Sequence, residues 1–363
     1  MIAAFLCIKV YPSLCIVSTG HVGLLIRIKT TAFCRMVRTI CGSIAILRSE
    51  MTDNTTENQA FGQTPQGNQI FLDHVGWFVP DMDEASAVFG QLGFPLTPFT
   101  VHMNEQPDGS RVPSGTANRC AMIRRGYLEV LTRVPEVESA ITKQMDDGLA
   151  RYTGLHLIAF TVADTEAVTS RLREAGFAPE APIALRRPMP LDDGGEGTAA
   201  FSVIRLPSDA MAEGRVQVLS QDTPDVVWQP SVTADENALD MLSGLLICAE
   251  DPEEAAIRYE RFTGHARTAI GDGFRIVLDR GQISICTPAA CTKCLPGIDI
   301  PDLPFIAAVS IRSADLSATR AFLAARDVPL LANDSGRIAV HPRVGMGASF
   351  VFHAAGEEPF PLT

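Results

Sequence analysis

The chain has too little positive charge to present a nucleic-acid surface. Its 30 Lys and Arg are outnumbered by 42 Asp and Glu, giving a formal net charge of −12, whereas phosphate backbones call for a basic face. It has no apolar run near its start that could cross a membrane. Lys9 and Pro12 interrupt the first apolar stretch, far short of the ~20 residues a spanning helix needs. No secretory signal is expected either, because Met1-Ile2-Ala3-Ala4-Phe5-Leu6 precedes any basic residue and a signal peptide puts its charges first. Cysteine is present but forms no extracellular framework. Of nine, Cys7, Cys15, Cys34 and Cys41 lie in the first 50 residues, and Cys120, Cys248 and Cys286 stand singly in strand-like runs. Small buried thiols in a reducing cytosol match that usage. A cytoplasmic protein with a small-molecule substrate, and with neither membrane nor nucleic acid as partner, is the expectation.

The first 50 residues are a different polymer from the rest. They carry Lys9, Arg27, Lys29, Arg35, Arg38 and Arg48 against the single acid Glu50, so the remainder is near −17 (−12 minus +5). Residues 51–69 are rich in Thr, Asn and Gln, as in the disordered start of a soluble protein. We expect residues 1–69 to be a disordered or artefactual extension, with Met51 as the true start.

From residue 70 one order recurs four times: strand, helix, then short strands. Asp81, Asp164, Asp251 and Leu316 stand at the helix starts, and Gly93, Gly176 and Gly264 stop the first three helices, as capping rules require. The closing strands follow, among them 118–123 with 127–132, 201–206 with 215–220, 274–278 with 282–287, and 337–340 with 349–353. A βαβββ unit leaves one sheet face bare, so units must pair. Residues 70–222 and 242–357 are the two expected pairs, with 223–241 as linker, an α+β protein built of curved mixed sheets. Because units pair within the chain, a monomer suffices, and a homodimer is equally compatible.

The sharpest signal is a motif seen twice. Asp73-His74-Val75-Gly76 opens the first unit and Gly126-Tyr127-Leu128-Glu129 closes it, the acid 55 residues after the histidine (129 − 74). Gly154-Leu155-His156 opens the second, and Gln217 follows 61 residues on (217 − 156). With Gly115-Thr116-Ala117-Asn118-Arg119-Cys120 and Asp222-Thr223-Pro224-Asp225, this order resembles the vicinal oxygen chelate superfamily. Within it the chain is similar to the bacterial glyoxalase-like domain proteins, of the glyoxalase, bleomycin resistance and extradiol dioxygenase fold. The resemblance covers 70–355.

The resemblance implies one divalent metal (Zn, Fe(II), Ni, Mn or Co) held by His74, Glu129, His156 and Gln217. The residue types suit such ions, and a Glu flanked by Leu128 and Val130 is costly to bury unless paired. The C-terminal pair shows Gly244, Ala307 and Ser284 at the matching places, so it keeps the scaffold without the ligands. The superfamily's metal acts as a Lewis acid. Glu129 is the only candidate base, since Gln217 cannot accept a proton. Lyase or isomerase chemistry through a metal-stabilised enolate is the first expectation; an extradiol-type dioxygenase and a metal-free binding or resistance protein are the alternatives. Asn118, Arg119, Tyr127 and Trp77 are the candidate substrate-binding residues. His102 falls in a Gly/Pro-rich stretch and reads as a solvated loop residue. Cys286, Cys291 and Cys294 have an iron–sulfur-like spacing but no following fourth cysteine, and are not expected to hold a cluster.

Overall fold

The structure is a computed structural model. It describes residues 62–362 except 107, 234 and 235, together with the backbone of three strands nearer the N-terminus. Those strands, β1 (Cys7–Tyr11), β2 (Leu14–Thr19) and β3 (Val22–Ile26), form an antiparallel sheet of their own. The expected start at Met51 lies outside the described residues.

The remainder is four copies of strand–helix–three strands. The first contains β4 (Ile70–Phe78), α1 (Met82–Gln91), β5 (Thr100–Glu105), β6 (Arg111–Met122) and β7 (Tyr127–Arg133). After α2 (Ala140–Arg151) come β8 (Gly154–Val162), α3 (Thr165–Glu174), β9 (Ile183–Pro190), β10 (Glu196–Arg205) and β11 (Arg215–Gln221). A short α4 (Pro224–Val227) leads to β12 (Leu239–Cys248), α5 (Pro252–Thr263), β13 (Arg267–Ile270), β14 (Gly273–Val277) and β15 (Gln282–Cys286). After α6 (Pro288–Cys294), the fourth copy runs β16 (Phe305–Ser313), α7 (Leu316–Ala324), β17 (Leu330–Asn333), β18 (Arg337–Val340) and β19 (Ser349–His353). Each unit's helix is capped by an aspartate, Asp81, Asp164, Asp251 or Asp315, whose carboxylate accepts from amides of the first turn. That satisfies donors with no partner inside the helix.

Within each unit the opening strand pairs in parallel with the closing one, β4 with β7 and β8 with β11. Opening strands of paired units run antiparallel, β4 with β8 and β12 with β16. The result is a large, curved, unclosed sheet, as the α+β expectation required. One core runs through both pairs. Trp77 stacks on Phe350 and meets Phe89 edge-on, and Phe160 packs on Phe262 of α5. Glu213, wholly buried, receives two hydrogen bonds from Arg258 of α5 at 2.7 and 2.9 Å. The expected linker is a strap: Trp228 donates to the Ile123 carbonyl and meets the Tyr127 ring edge-on.

The two pairs differ in what fills their concave faces. In the C-terminal pair an apolar cluster fills much of the face. Leu246, Cys248 and Cys286 of the sheet meet Cys291 and Cys294 of α6, and Phe360 closes over them. All of these thiols are free and buried. In the N-terminal pair the concave face carries ionisable groups, where the C-terminal pair has the Ser310–Ser243–His353 hydrogen bonds and the thiols. Among the described residues no helix is long and apolar enough to cross a membrane.

Candidate functional site

Strand alternation sorts the N-terminal sheet into two faces. Val75, Trp77, Leu128, Val130, Ile158 and Phe160 belong to the main core. Phe78, Leu131, Leu157, Ala159, Val203 and Leu219 belong to a separate cluster on the concave side. His74 and Gly76 share the face of Phe78, and they lie beside Tyr127 and Glu129 in the β4–β7 register. On β6, Cys120 lies opposite Glu129 and Asn118 opposite Leu131.

Four of the expected site residues come together on this face. Asn118 Nδ2 donates to Glu129 Oε1 at 2.6 Å. His74 Nε2 is 3.8 Å from Glu129 Oε2, beyond hydrogen-bond length. The Tyr127 ring stacks on His74 with centroids 4.3 Å apart. His74 Nδ1 donates to Asp73 Oδ1 at 2.7 Å, and Gln221 Nε2 donates to both Asp73 oxygens at 3.2 and 3.1 Å. A carboxylate behind an imidazole fixes its tautomer and orientation, so Asp73 aims Nε2 of His74 at Glu129. Burial, then the Asp73 and Glu129 charges, push the Tyr127 hydroxyl well above its ordinary range, so it stays protonated. Gly76 leaves room beside Glu129; a Cβ there would sit 2.9 Å from that of Leu157.

One member of the cluster was not expected. The stretch read as a loop is β5 and the start of β6, and His102 lies in that hairpin. Its Nδ1 meets Thr116 Oγ1 at 2.9 Å, and its Nε2 is 4.0 Å from Glu129 Oε1. With its side chain 31% exposed, His102 is the open edge of the cluster. Burial lowers its pKa below 6.5, against the opposing pull of Glu129, so it is neutral near pH 7. A single histidine in a Pro- and Gly-bearing stretch offers no period to place it.

Three expected residues sit elsewhere. Trp77 is on the core face, fully buried, with Nε1 donating to the Gly345 carbonyl at 3.0 Å. Arg119 alternates with Asn118 and so points away from the cluster; its contact is Nη1 with the Thr97 carbonyl at 3.5 Å. His156 donates through Nε2 to the Tyr152 carbonyl at 2.8 Å and lies between the rings of Tyr152 and Phe78. The register explains why. His74 stands seven residues before its helix cap (81 − 74), and the residue seven before Asp164 is Leu157 (164 − 157). Leu157 pairs with Arg215 as His74 pairs with Tyr127. A shift of one residue reverses a strand's faces, so the two histidines are not equivalent. Gln217 does match Glu129: it pairs with Ala159 as Glu129 pairs with Gly76.

The metal implied by the sequence resemblance therefore does not find its four expected ligands assembled. His74 and Glu129 face each other, while His156 is committed to Tyr152. Among the described residues no three His, Cys, Asp or Glu side chains are grouped to hold a metal ion.

Burial gives His156 a measurable role in stability. Its pKa is lowered from 6.5 to about 4, mainly by desolvation. The unfolded chain thus binds a proton between pH 6.5 and about 4 that the folded chain refuses. The stability involved is fully present above pH 6.5 and is lost as pH falls toward 4, by about 3 kcal/mol. Denaturant titrations of His156→Phe across this range should show a correspondingly shallower loss than the unsubstituted protein; equal slopes would refute the assignment.

The family described as "Glyoxalase-like domain" matches residues 72–263, more than half of the 363-residue chain. No curated protein is matched. Among solved structures, a hypothetical protein from Staphylococcus aureus is similar with TM-score 0.54 at 13% identity, over 78% of this chain and 99% of that one. A triple mutant of 4-hydroxymandelate synthase from Streptomyces coelicolor follows with TM-score 0.51 at 15% identity, over 80% and 95%. A xylose isomerase-like TIM barrel/4-hydroxyphenylpyruvate dioxygenase fusion protein has TM-score 0.52 at 12% identity, over 81% of this chain and 51% of its own. At such identities the likeness is one of fold. Fold, repeat order and family match agree: the chain belongs to the glyoxalase-like domain family of the vicinal oxygen chelate superfamily.

Proposed function

We propose that the cleft of the first two units takes a small oxygenated molecule and moves a proton next to its carbonyl, a lyase or isomerase reaction with Glu129 as the base. The observation that carries this reading is the setting of the Glu129 carboxylate. It is buried at 8% exposure, held at Oε1 by Asn118, and faced at 3.8 and 4.0 Å by His74 and His102. At that spacing a substrate atom approaching from the open side can come within reach of the carboxylate and a histidine nitrogen together, groups that can hold and pass a proton.

In the step proposed, Oε2 of Glu129 accepts the proton from the carbon beside the carbonyl. The C–H electron pair moves into the C–C bond and the carbonyl π pair onto oxygen, giving an enolate. In an isomerisation of a 2-hydroxy carbonyl compound the hydroxyl proton passes to the enolate oxygen, a new C=O forms at the hydroxyl carbon, and Glu129 returns its proton to the former carbonyl carbon. In an elimination the enolate re-forms its C=O, the electron pair moves into the next C–C bond, the bond to the leaving group breaks, and Glu129 protonates that group. Asn118 keeps the carboxylate in place. Asp73 holds the His74 ring in one orientation. His102, neutral and at the open edge, is placed to relay a proton to solvent.

Hydrogen–deuterium exchange beside the carbonyl, followed by NMR in D2O over a set of small neutral and anionic carbonyl compounds, tests the reading. Exchange that depends on Glu129 is expected. Ligand binding with no exchange for any compound would overturn the reading in favour of a binding protein.

A further inference from the structure

The enolate of the proposed step puts a negative charge on oxygen, and the second unit supplies a donor for it. Strand pairing sets Glu129, Gly76, Leu157 and Arg215 in one row across β7, β4, β8 and β11. Arg215 alternates with Val216 of the main core and so shares the concave face with Leu157. Its side chain reaches back across β8: the guanidinium carbon is 5.4 Å from the centre of the Phe78 ring on β4. Phe78 pairs with Leu131, two residues beyond Glu129 on β7. The guanidinium therefore reaches a side chain of the strand next to that of Glu129.

Arg215 is held in place yet has a donor to spare. Its Nε donates to Gln144 Oε1 of α2 at 2.8 Å, and its buried Nη2 has no acceptor among the described residues. Buried donors are normally satisfied. Burial lowers its guanidinium to about 10, the Glu129 charge opposes that fall and Arg205 adds to it. Arg215 thus stays a cation at neutral pH, within electrostatic reach of Glu129.

We infer that Arg215 is the oxyanion donor of this site, its Nη2–H donating to the carbonyl oxygen as the enolate forms. The inference rests on the reading of Glu129 as the base and adds a catalytic residue to it. A carbonyl compound lying over Gly76 and Leu157 has the carboxylate at one end of the row and the guanidinium at the other. When Glu129 takes the proton it becomes neutral, and the negative charge reappears on the carbonyl oxygen beside Arg215. The guanidinium keeps its own protons. Its attraction is stronger in the transition state than in the ground state, which is what accelerates a step. A preset donor shielded from water also needs no reorganisation as the charge forms. Gln144 acts through Arg215, as a positioning residue that fixes the plane of the guanidinium.

Exchange in D2O is measured on the full chain with hydroxyacetone and the other carbonyl compounds. Arg215→Ala should lower kcat ~10²–10³-fold, the effect of removing one oxyanion donor, with KM little changed. Added guanidinium chloride should restore part of the lost rate, and sodium chloride at the same concentration should not. A merely structural Arg215 would lower the thermal midpoint and show no such rescue. Should Arg215→Ala fail to fold, Gln144→Ala decides: a loss of ~tenfold in kcat supports the assignment, and an unchanged kcat overturns it. Exchange that needs Glu129 but is unaltered in Arg215→Ala, or is lost there without rescue, overturns the oxyanion role while the base stands. Exchange lost in Arg215→Ala but kept in Glu129→Gln leaves the oxyanion donor standing and removes the base. No exchange with any compound overturns both.

Discussion

Glu129→Gln is expected to abolish most proton transfer, lowering the exchange rate by ~10²–10⁴-fold, while the protein keeps its fold and its ligand affinity. The amide is close in shape to the carboxylate. Its oxygen can still accept from Asn118 Nδ2, the 2.6 Å contact that fixes Glu129, so the strand neighbours need not move. What is lost is the basic oxygen facing His74. Exchange rates and thermal midpoints on the same preparation check this. A variant with unaltered exchange would remove Glu129 from the chemistry, and a variant with a collapsed midpoint would make Glu129 structural. Asn118→Ala should show a smaller loss, about 1–3 kcal/mol in the barrier from a misplaced base, visible in the turnover rate more than in affinity.

Trp77→Ala carries the second large effect, and it falls on stability. The indole is fully buried, stacks on Phe350 at 5.2 Å, meets Phe89 edge-on at the same distance, and donates to Gly345. Phe350 and Gly345 belong to the fourth unit. Truncation opens a cavity at the seam between the pairs and strands the Gly345 carbonyl, for a loss of ~3–5 kcal/mol and a fall of roughly 10 °C in the midpoint. A residue that touched substrate would instead change KM at constant midpoint, so the two measurements separate the roles.

Much of the fold was legible because its punctuation is local. Aspartate caps, glycine stops and apolar runs repeat four times, and these depend on neighbouring residues alone. The pairing of His74 with Glu129 was legible for the same reason, since both sit at fixed offsets from those marks. The second histidine misled because nearness to the motif was weighed above the count to the cap. His156 is eight residues before Asp164, whereas His74 is seven before Asp81. In a strand that single residue decides the face. The same parity separates Arg119 from Asn118 and Trp77 from Gly76. His102 was harder, because its strand, Thr100–Glu105, shows no clear apolar alternation and lies two strands away from that of Glu129.

The seam at Trp77 bears on how such a chain can have diversified. Because the outer faces of both pairs share one core, neither pair offers a finished surface of its own. A crossover between residues 223 and 241 would expose Trp77, Phe160 and Phe262 on one fragment or the other, so the two pairs should be exchangeable only as one piece. The plugged cleft of the C-terminal pair is then free to drift in sequence so long as it stays filled. Substitutions on the concave face of the N-terminal pair, His102 among them, should leave what holds the halves together intact.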